Sequence, residues 1–381
     1  MDEILTVIAD RDKISKRAFV GLDGFVDEVV HVVDRRVDES TFTRIQTIAE
    51  YAARIREGSG LSLNIEVVPI QSKLGGNGPI YAYGLKKLDV GITYVGCVGK
   101  GTVEPVFQRL AEESRMIGIT APGMTDAMEF QDGKIIRSKL NSLNQLKWED
   151  LIKYLPPEDF AEEFDRADLI SLNNWTMIPH MSDIWRHLQK EVLPLMKKEK
   201  SDVLMFFDLA DPRKRSGEDV LEALELIQGF KKQGFCTVLG LNLKEARLIA
   251  GHICRSEEKA QKTEKMDLEP LTHLIADYLQ IDGVVVHPVN CAACVYHGKY
   301  AEVPGPYCKA PVLTTGAGDV FNSGFTFGLL HKLCPEECLL LGNAASGYYV
   351  RNADWADSEA LSEFVRTWMQ DSLIDDRDIK L

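Results

Sequence analysis

The stretch Val312-Leu313-Thr314-Thr315-Gly316-Ala317-Gly318-Asp319-Val320-Phe321 indicates both the fold and the chemistry of this chain. It leads into an apolar run that continues to Leu330 and predicts a helix. Small residues let a backbone approach a ligand closely, and the N–H groups at a helix start attract anions. A carboxylate among such donors can accept a proton from an alcohol while the N–H groups hold a phosphoryl group. The stretch therefore favours a small-molecule kinase, although Gly-Ala-Gly-Asp also fits an ordinary strand-to-helix turn with an aspartate near the cap.

The composition is that of a globular protein, with 45% hydrophobic and 27% charged residues among 381. A net charge of −14 argues against nucleic acid or an anionic membrane surface as the main partner. The start of the chain lacks the pattern of a secretory signal, which predicts a cytoplasmic protein with reduced thiols. The pair Cys291 and Cys294 has redox or zinc spacing, but it lies in a run typical of a strand.

Strand and helix patterns alternate through most of the chain, which predicts an α/β fold with a doubly wound, mostly parallel sheet. Residues 42–55 have helical spacing, residues 61–70 alternate like a strand, and residues 128–136 predict a hairpin. We interpret residues 1–381 as one domain, with a small β-sheet lid formed approximately by 26–73 and 124–142.

The stretch at 312–321 resembles the signature of the PfkB carbohydrate kinases, a family with the ribokinase-like fold. The resemblance implies that Asp319 is the catalytic base and that Gly316, Ala317 and Gly318 form the anion hole. Leu313 stands where the signature has an aspartate, and some members build a monovalent-cation site there. The resemblance therefore does not carry that cation site over to this chain.

On the acceptor side, the resemblance implies an aspartate just after the first strand that binds sugar hydroxyls. Asp27 matches best, and Asp23 is the alternative. Asn173 ends a later strand at the same expected edge of the sheet. Another segment that resembles a family motif at that edge contains Asp208, Asp211 and Arg213.

The segment Gly75-Gly76-Asn77 precedes a predicted helix and resembles the family's glycine pair that packs against the sugar. The family's asparagine five residues after the first glycine is Ile80 here. Asn77 could take its place.

On the nucleotide side, Asn242 and Glu245 follow a predicted strand, as in the family's Asn-x-x-Glu motif. By itself this pattern fits a helix cap. The resemblance implies that the pair positions Mg²⁺ and the nucleotide phosphates, with Glu245 acting on the metal through water. Thr314 and Asn343 are further candidates for nucleotide contact, whereas His287 replaces a family turn and is interpreted as structural.

These patterns together predict ATP- and Mg²⁺-dependent phosphoryl transfer to a hydroxyl of a sugar. The alternatives are a nucleoside kinase, in which Phe25, Phe130 or Trp175 would stack on the base, an ADP-dependent sugar kinase, and a non-catalytic homologue that binds ligand. The resemblance also implies a homodimer through the lid, unless the predicted helix at 42–55 covers the exposed strand edge.

Overall fold

A computed structural model describes residues 2–9, 16–254, 261–370 and 373 of the chain. The strands are β1 (Arg17–Leu22), β2 (Phe25–Arg36), β3 (Phe42–Arg44), β4 (Val67–Gly75), β5 (Gly91–Gly96), β6 (Arg115–Gly118), β7 (Gly123–Phe130), β8 (Gly133–Lys139), β9 (Leu169–Asn173), β10 (Leu204–Asp208), β11 (Cys236–Leu241), β12 (Gly283–Val286), β13 (Cys291–Tyr296) and β14 (Lys299–Pro304). The helices used below are α1 (Asp2–Ala9), α2 (Ile48–Glu57), α3 (Asn77–Lys87), α4 (Gln108–Ala111), α5 (Trp148–Tyr154), α6 (Pro157–Arg166), α7 (Met181–His187), α8 (Gly217–Lys232), α9 (Leu243–Cys254), α10 (Leu268–Leu279), α11 (Ala317–Leu330), α12 (Pro335–Asn352) and α13 (Ser358–Met369).

Nine strands form the main sheet in the order β14-β13-β12-β11-β10-β9-β1-β5-β6. The seven strands from β12 to β6 run parallel, whereas β13 and β14 form an antiparallel edge. Strands β9, β10 and β12 are buried along their whole length, as expected when helices cover both faces of a sheet. The predicted α/β class with a mostly parallel sheet is confirmed.

Two hydrophobic cores lie on the two faces of the main sheet. One packs α5 to α10 against the sheet around large aromatic side chains such as Trp185, Phe207 and Phe230. The other packs α1, α3 and the three C-terminal helices, with Tyr81 stacked on Phe206 at a ring separation of 5.6 Å. The carboxyl ends of β1, β9, β10 and β11 therefore meet at one edge, between the helical layers.

A separate five-stranded sheet contains β2, β3, β4, β7 and β8. Strand β2 lies at its centre and pairs antiparallel with β4 and parallel with β7. Helix α2 packs on a small core that contains Val30, Ile45 and Met128, and its Tyr51 ring lies 5.5 Å from that of Phe130. This second sheet is continuous with β1 and α3, so it is held directly above the carboxyl edge of the main sheet.

Three local predictions are resolved by tertiary pairing. The helix predicted over 42–55 was wrong at its start, because residues 42–44 pair with the end of β2, and a Thr47/Glu50 capping box begins α2. The strand predicted over 61–70 was wrong in its bounds, because β4 pairs with β2 only over Val67–Gly75. The hairpin over 128–136 is confirmed as β7 and β8.

The cysteine pair lies in β13 within the antiparallel edge of the main sheet. Cys294 is buried, Cys291 is partly exposed, and both thiols are free. No helix among the described residues combines the length and the apolarity needed to cross a membrane.

Candidate active site

The loop before α11 faces the second sheet across a cavity of about 290 Å³. Backbone hydrogen bonds from Val312 N to Val350 O and from Ala317 N to Thr314 O hold the loop in place. The cavity lining includes Asp27, Gly76, Asn77, Asn174, Leu313, Thr315, Gly316, Asp319 and Tyr349. The cavity therefore has polar groups from both sheets and is the natural place for a polar small molecule.

Gly316 makes the sharp turn that begins α11. Its φ of 85° lies in the left-handed region that favours glycine. A Cβ atom there would lie 2.9 Å from Ile80 Cδ1 and 3.2 Å from the Tyr349 hydroxyl oxygen. That hydroxyl donates to Thr315 O at 2.9 Å, which fixes the loop against α12. The first N–H groups of α11, including those of Gly318 and Asp319, have no intrahelical acceptors and can bind an anion.

Asp319 lies in the first turn of α11 and is 8% exposed. Its Oδ1 accepts a hydrogen bond from Asn77 Nδ2 at 2.8 Å. Burial and the nearby charge of Asp208 raise the pKa of Asp319 well above its usual range, and this hydrogen bond opposes the shift. Such a carboxylate is more basic than a solvated one, as a general base requires.

Two further acidic side chains lie near this position. Burial raises the pKa of Asp208, at the end of β10, to about 6. Burial together with the charges of Asp208 and Asp211 raises the pKa of Glu245. Within the described residues, neither Asp208, Glu245 nor Asp319 forms a salt bridge with a lysine or arginine. Carboxyl groups that lack an ion-pair partner favour binding of a cation.

The Asp208 carboxylate is held from two sides. Its Oδ1 accepts from Ala210 N at 2.7 Å and its Oδ2 from Asn322 Nδ2 at 2.8 Å. The buried Asn322 Oδ1 accepts no hydrogen bond from any residue that the structure describes. A set of buried carboxylates beside an unsatisfied amide oxygen suits Mg²⁺, which prefers hard oxygen ligands and retains waters.

Asn242 and Glu245 form a reciprocal cap at the start of α9. Glu245 N donates to Asn242 Oδ1 at 3.0 Å, and Asn242 N donates to Glu245 Oε2 at 2.9 Å. The pair therefore has the helix-capping geometry that its spacing allows. The cap also holds the Glu245 carboxyl close enough to Asp208 for that charge to raise the pKa of Glu245, and close enough to Asp319 to raise the pKa of Asp319.

The carboxyl group of Asp27 packs directly against the backbone of Gly75. Register pairs Phe25 with Gly75, and a Cβ atom on Gly75 would lie 2.4–2.6 Å from the carboxyl atoms of Asp27. A glycine is therefore required for the Asp27 carboxylate to lie over this backbone. Burial raises the pKa of Asp27, and Thr125, Lys134 and Lys73 oppose that shift.

Asp23, the alternative acceptor residue, is fully buried beneath the start of α3. It accepts hydrogen bonds from Asn77 N and Gly78 N at 2.9 Å and from Asn174 Nδ2 at 2.7 Å. Burial raises its pKa to about 6. Its oxygens are committed to protein donors, so Asp23 fixes the Gly76–Asn77 turn from below, whereas Asp27 lines the cavity.

The asparagines after β9 have different positions. Asn173 is 1% exposed and accepts from Ser171 Oγ at 2.8 Å, and it does not line the cavity. Asn174, with a φ of 61°, lines the cavity and contacts Asp23. Sequence reasoning favoured Asn173 because it ends the strand, but the left-handed turn directs the next residue to the cavity.

Thr314 and Asn343, the further candidates for nucleotide contact, and His287 lie in three different environments. Thr314 is exposed on the loop. Asn343 Nδ2 donates to Val303 O and Pro304 O at 3.1 and 3.2 Å, so it ties α12 to β14. His287 is partly buried beside Gly318, its ring 4.8 Å from that of Phe321, and desolvation lowers its pKa to about 4.

Two charged residues that line the cavity were missed by sequence reasoning. Lys73 lies opposite Asp27 in the β2–β4 register, and Lys134 extends from β8. The spacing of Lys73 from Asp27 across paired strands was the available signal, but it required the register. Of the three aromatic residues that could stack on a base, Phe25 lines the cavity, whereas Trp175 is fully buried and Phe130 packs on Tyr51.

Comparisons with known proteins identify the family to which the chain belongs. A family model for prokaryotic ketohexokinase matches residues 11–368. The chain is 26% identical over 355 residues to a ketohexokinase of Haloferax volcanii, and the match covers 93% of this chain and 92% of that protein.

Solved structures share the fold at low identity. An adenosine kinase of Sinorhizobium meliloti is 18% identical, with a TM-score of 0.62, and the match covers 93% of this chain and 100% of that one. An Arabidopsis thaliana ribokinase complexed with ribose and ATP is 17% identical, also with a TM-score of 0.62, and the match covers 93% and 99%. The family match spans nearly the whole chain and includes the loop, the acidic cluster and the second sheet. The chain therefore belongs to the prokaryotic ketohexokinase family and is a PfkB-type carbohydrate kinase with the ribokinase-like fold.

Proposed function

We propose that the protein transfers the γ-phosphoryl group of ATP to a hydroxymethyl group of a ketohexose. The observation that carries this proposal is the position of Asp319, in the first turn of α11 and on the wall of a polar cavity that the second sheet covers. Similarity to the Haloferax volcanii ketohexokinase supports a ketohexose as the acceptor class.

The acceptor would lie between Asp27 and Asp319. Two carboxylate oxygens on Asp27 suit two adjacent hydroxyl groups of a sugar, and Asn77 and Asn174 add amide groups on the same cavity wall. Of the three aromatic residues that could stack on a nucleoside base, Phe25, Phe130 and Trp175, only Phe25 lines the cavity. This favours a sugar over a nucleoside as the acceptor.

Asp319 would act as the general base. The proton of the attacking hydroxyl moves to a carboxylate oxygen of Asp319 as the sugar oxygen bonds to the γ-phosphorus. The bond from that phosphorus to the bridging oxygen breaks, and ADP leaves. Asn77 Nδ2 orients the carboxylate through Oδ1, which leaves Oδ2 for the hydroxyl proton.

The N–H groups at the start of α11 would hold the oxygens of the transferring group. Their positions are set before the reaction by Gly316, so little reorganisation is needed when charge develops. The second sheet would exclude water from the acceptor cavity, because water competes as a phosphoryl acceptor.

The acidic cluster fits Mg²⁺. Asp208 and Glu245 would hold it through bound waters, and when bound it neutralises charge on the nucleotide phosphates. The charges of Asp208 and Glu245 both raise the pKa of Asp319. Neutralisation of these two charges would therefore lower the pKa of Asp319.

The acceptor class can be tested by measuring ADP formation with a panel of acceptors at fixed ATP and Mg²⁺. We expect fructose to give the highest kcat/KM, with ribose and adenosine at least about 10-fold lower, as for the loss of one well-formed hydrogen bond. Asp319→Asn serves as the blank. A preference for adenosine, or no consumption above the blank with any acceptor, would contradict the proposal.

A substitution on the acceptor side separates sugar binding from nucleotide binding. Asp27→Asn should raise the KM for the sugar and leave that for ATP unchanged, because Asp27 lies on the lid side of the cavity. Replacing ATP with ADP and measuring formation of AMP instead of ADP distinguishes the two possible phosphoryl donors.

Glu245→Gln should raise the Mg²⁺ concentration that gives half-maximal velocity by about 10-fold or more, as is typical of residues that support a metal site. Glutamine removes the charge but can still accept from Asn242 N, so the cap of α9 is retained. The measurement is a Mg²⁺ titration of initial velocity at saturating sugar.

Glu50→Gln is the matched control for this experiment. Glu50 occupies the same position in the capping box of α2, where it accepts from Gln46 N and Thr47 N at 2.8 and 3.0 Å. An identical Mg²⁺ dependence of both variants and the wild type would remove Glu245 from the metal site.

A further inference from the structure

A second cavity, of about 730 Å³, lies at the opposite end of the main sheet from the kinase site. It opens where β10 and β11 begin, and it is bounded by the C-terminal end of α11 and by the β13–β14 turn. None of the residues that line this second cavity belongs to the phosphoryl-transfer site or to the acceptor cavity.

Three side chains of metal-binding type converge at this cavity. Cys236 begins β11, Asp282 immediately precedes β12, and His297 follows β13. The Cys236 Sγ, an Asp282 carboxylate oxygen and a ring nitrogen of His297 all lie within 4.8 Å of one another. Thiolate, carboxylate and imidazole are the donors that Zn²⁺ takes in proteins.

The backbone holds these donors in a fixed relation. Asp282 is buried, its Oδ2 accepts from Thr237 N at 2.8 Å, and its carbonyl oxygen accepts from His297 N at 2.7 Å. The Tyr296 hydroxyl lies 3.5 Å from Cys236 Sγ and can orient it. The carboxylate is therefore pinned through one oxygen, and its other oxygen faces the histidine.

The second oxygen of the carboxylate is also the point where the donors meet. Asp282 Oδ1 lies 3.5 Å from His297 Nδ1 and 2.7 Å from Lys231 Nζ. Donors around a tetrahedral Zn²⁺ are about 3.3–3.8 Å apart. Small side-chain rotations are needed to reach that spacing, and the exposed His297 can make them. Lys231 is 38% exposed along its side chain, so it can swing into solvent.

We propose that Cys236, Asp282 and His297 form a Zn²⁺ site, with a water molecule from the cavity as fourth ligand. Zn²⁺ replaces the Lys231 ammonium as the partner of Asp282, and the Cys236 thiol loses its proton to solvent as the metal binds. The site links the starts of β11 and β12 to the turn after β13, so it stabilises the antiparallel edge of the main sheet.

The test is a titration of the reduced, full-length protein with Zn²⁺ against a chromophoric chelator. We expect one tight site per chain, and Co²⁺ substitution should produce a thiolate-to-metal charge-transfer band. Cys236→Ser and His297→Asn should each weaken Zn²⁺ binding by at least about 10-fold. Lys231→Met should strengthen it, because it removes the competing cation from Asp282 Oδ1.

Cys334→Ser is the matched control, since Cys334 is exposed and lies outside the cluster. Its Zn²⁺ affinity should equal that of the wild type. Unchanged affinity in Cys236→Ser, or a wild-type Co²⁺ spectrum without the thiolate band, would overturn the proposal. The Co²⁺ spectrum uses no variant, so misfolding of a substituted protein cannot account for that outcome.

Discussion

Asp319→Asn is expected to lower kcat by about 10²–10⁴-fold, the usual contribution of a general base. The substitution removes the proton acceptor but keeps the volume of the side chain. Asn77 Nδ2 can still donate to the oxygen at position 319, so the geometry of the loop should persist. The KM for the sugar should change little.

The same substitution is expected to leave the free energy of unfolding equal or higher. Asp319 is buried beside Asp208, Asp23 and Glu245, and burial together with these charges raises its pKa. Removing one charge from this cluster relieves repulsion in the folded state. Steady-state kinetics and thermal melting of the same preparation measure both effects.

Asp219→Asn provides the matched control for Asp319→Asn. Asp219 occupies the same position in the first turn of α8 and lies outside the cavity. It therefore tests whether loss of a helix-terminal charge alone affects turnover. Near-normal kcat in Asp319→Asn, or an equal loss in Asp219→Asn, would sink the assignment of Asp319 as the base.

Gly316→Ala is expected to lower kcat by about 10²–10³-fold, comparable to the loss of one donor from an oxyanion hole. Alanine at a φ of 85° is strained by about 1–2 kcal/mol. Its Cβ would also displace Ile80 or Tyr349, and the latter holds Thr315 O. The N–H groups at the start of α11 would therefore move away from the transferring phosphoryl group.

Gly60→Ala separates backbone strain from the loss of the anion hole. Gly60 has a φ of 78°, and a Cβ atom there would meet nothing within 4 Å. Both variants should lose comparable stability from strain, but Gly60→Ala should retain kcat. Equal kinetic losses would mean that general destabilisation explains the effect, and unchanged kcat in Gly316→Ala would exclude the anion-hole role.

Local patterns were sufficient to predict strands β9 to β12 of the main sheet. Strands β9 to β12 are short apolar runs separated by helical segments, and such runs are typical of buried parallel strands. The second sheet was harder to predict. Residues 42–44 share the helical spacing of residues 45–55, yet they form β3, because the end of the long strand β2 provides backbone partners. Strand pairing outweighed local periodicity there.

In the candidate site, too, some residues could be predicted from local sequence and others depend on tertiary contacts. Asp319 and the glycines before it could be proposed from adjacent residues, because the loop and its carboxylate are contiguous in the chain. The sequence favoured Asp27 but left Asp23 open as an alternative, since both follow the first strand closely. Tertiary structure distinguishes them, because Asp23 is fully used by donors from α3 and Asn174, whereas Asp27 lines the cavity.

The α/β class, the start of α11 and the type of chemistry expected at Asp319 were predictable from the amino-acid order, because short-range spacing controls strands, helix starts and turns. The set of residues that share the cavity depends instead on contacts between distant parts of the chain. Lys73 reaches Asp27 through strand register, and Asn77 reaches Asp319 across 242 positions of the chain. Burial of the acidic cluster, which raises the pKa of Asp319, likewise arises only when both helical layers close around the sheet.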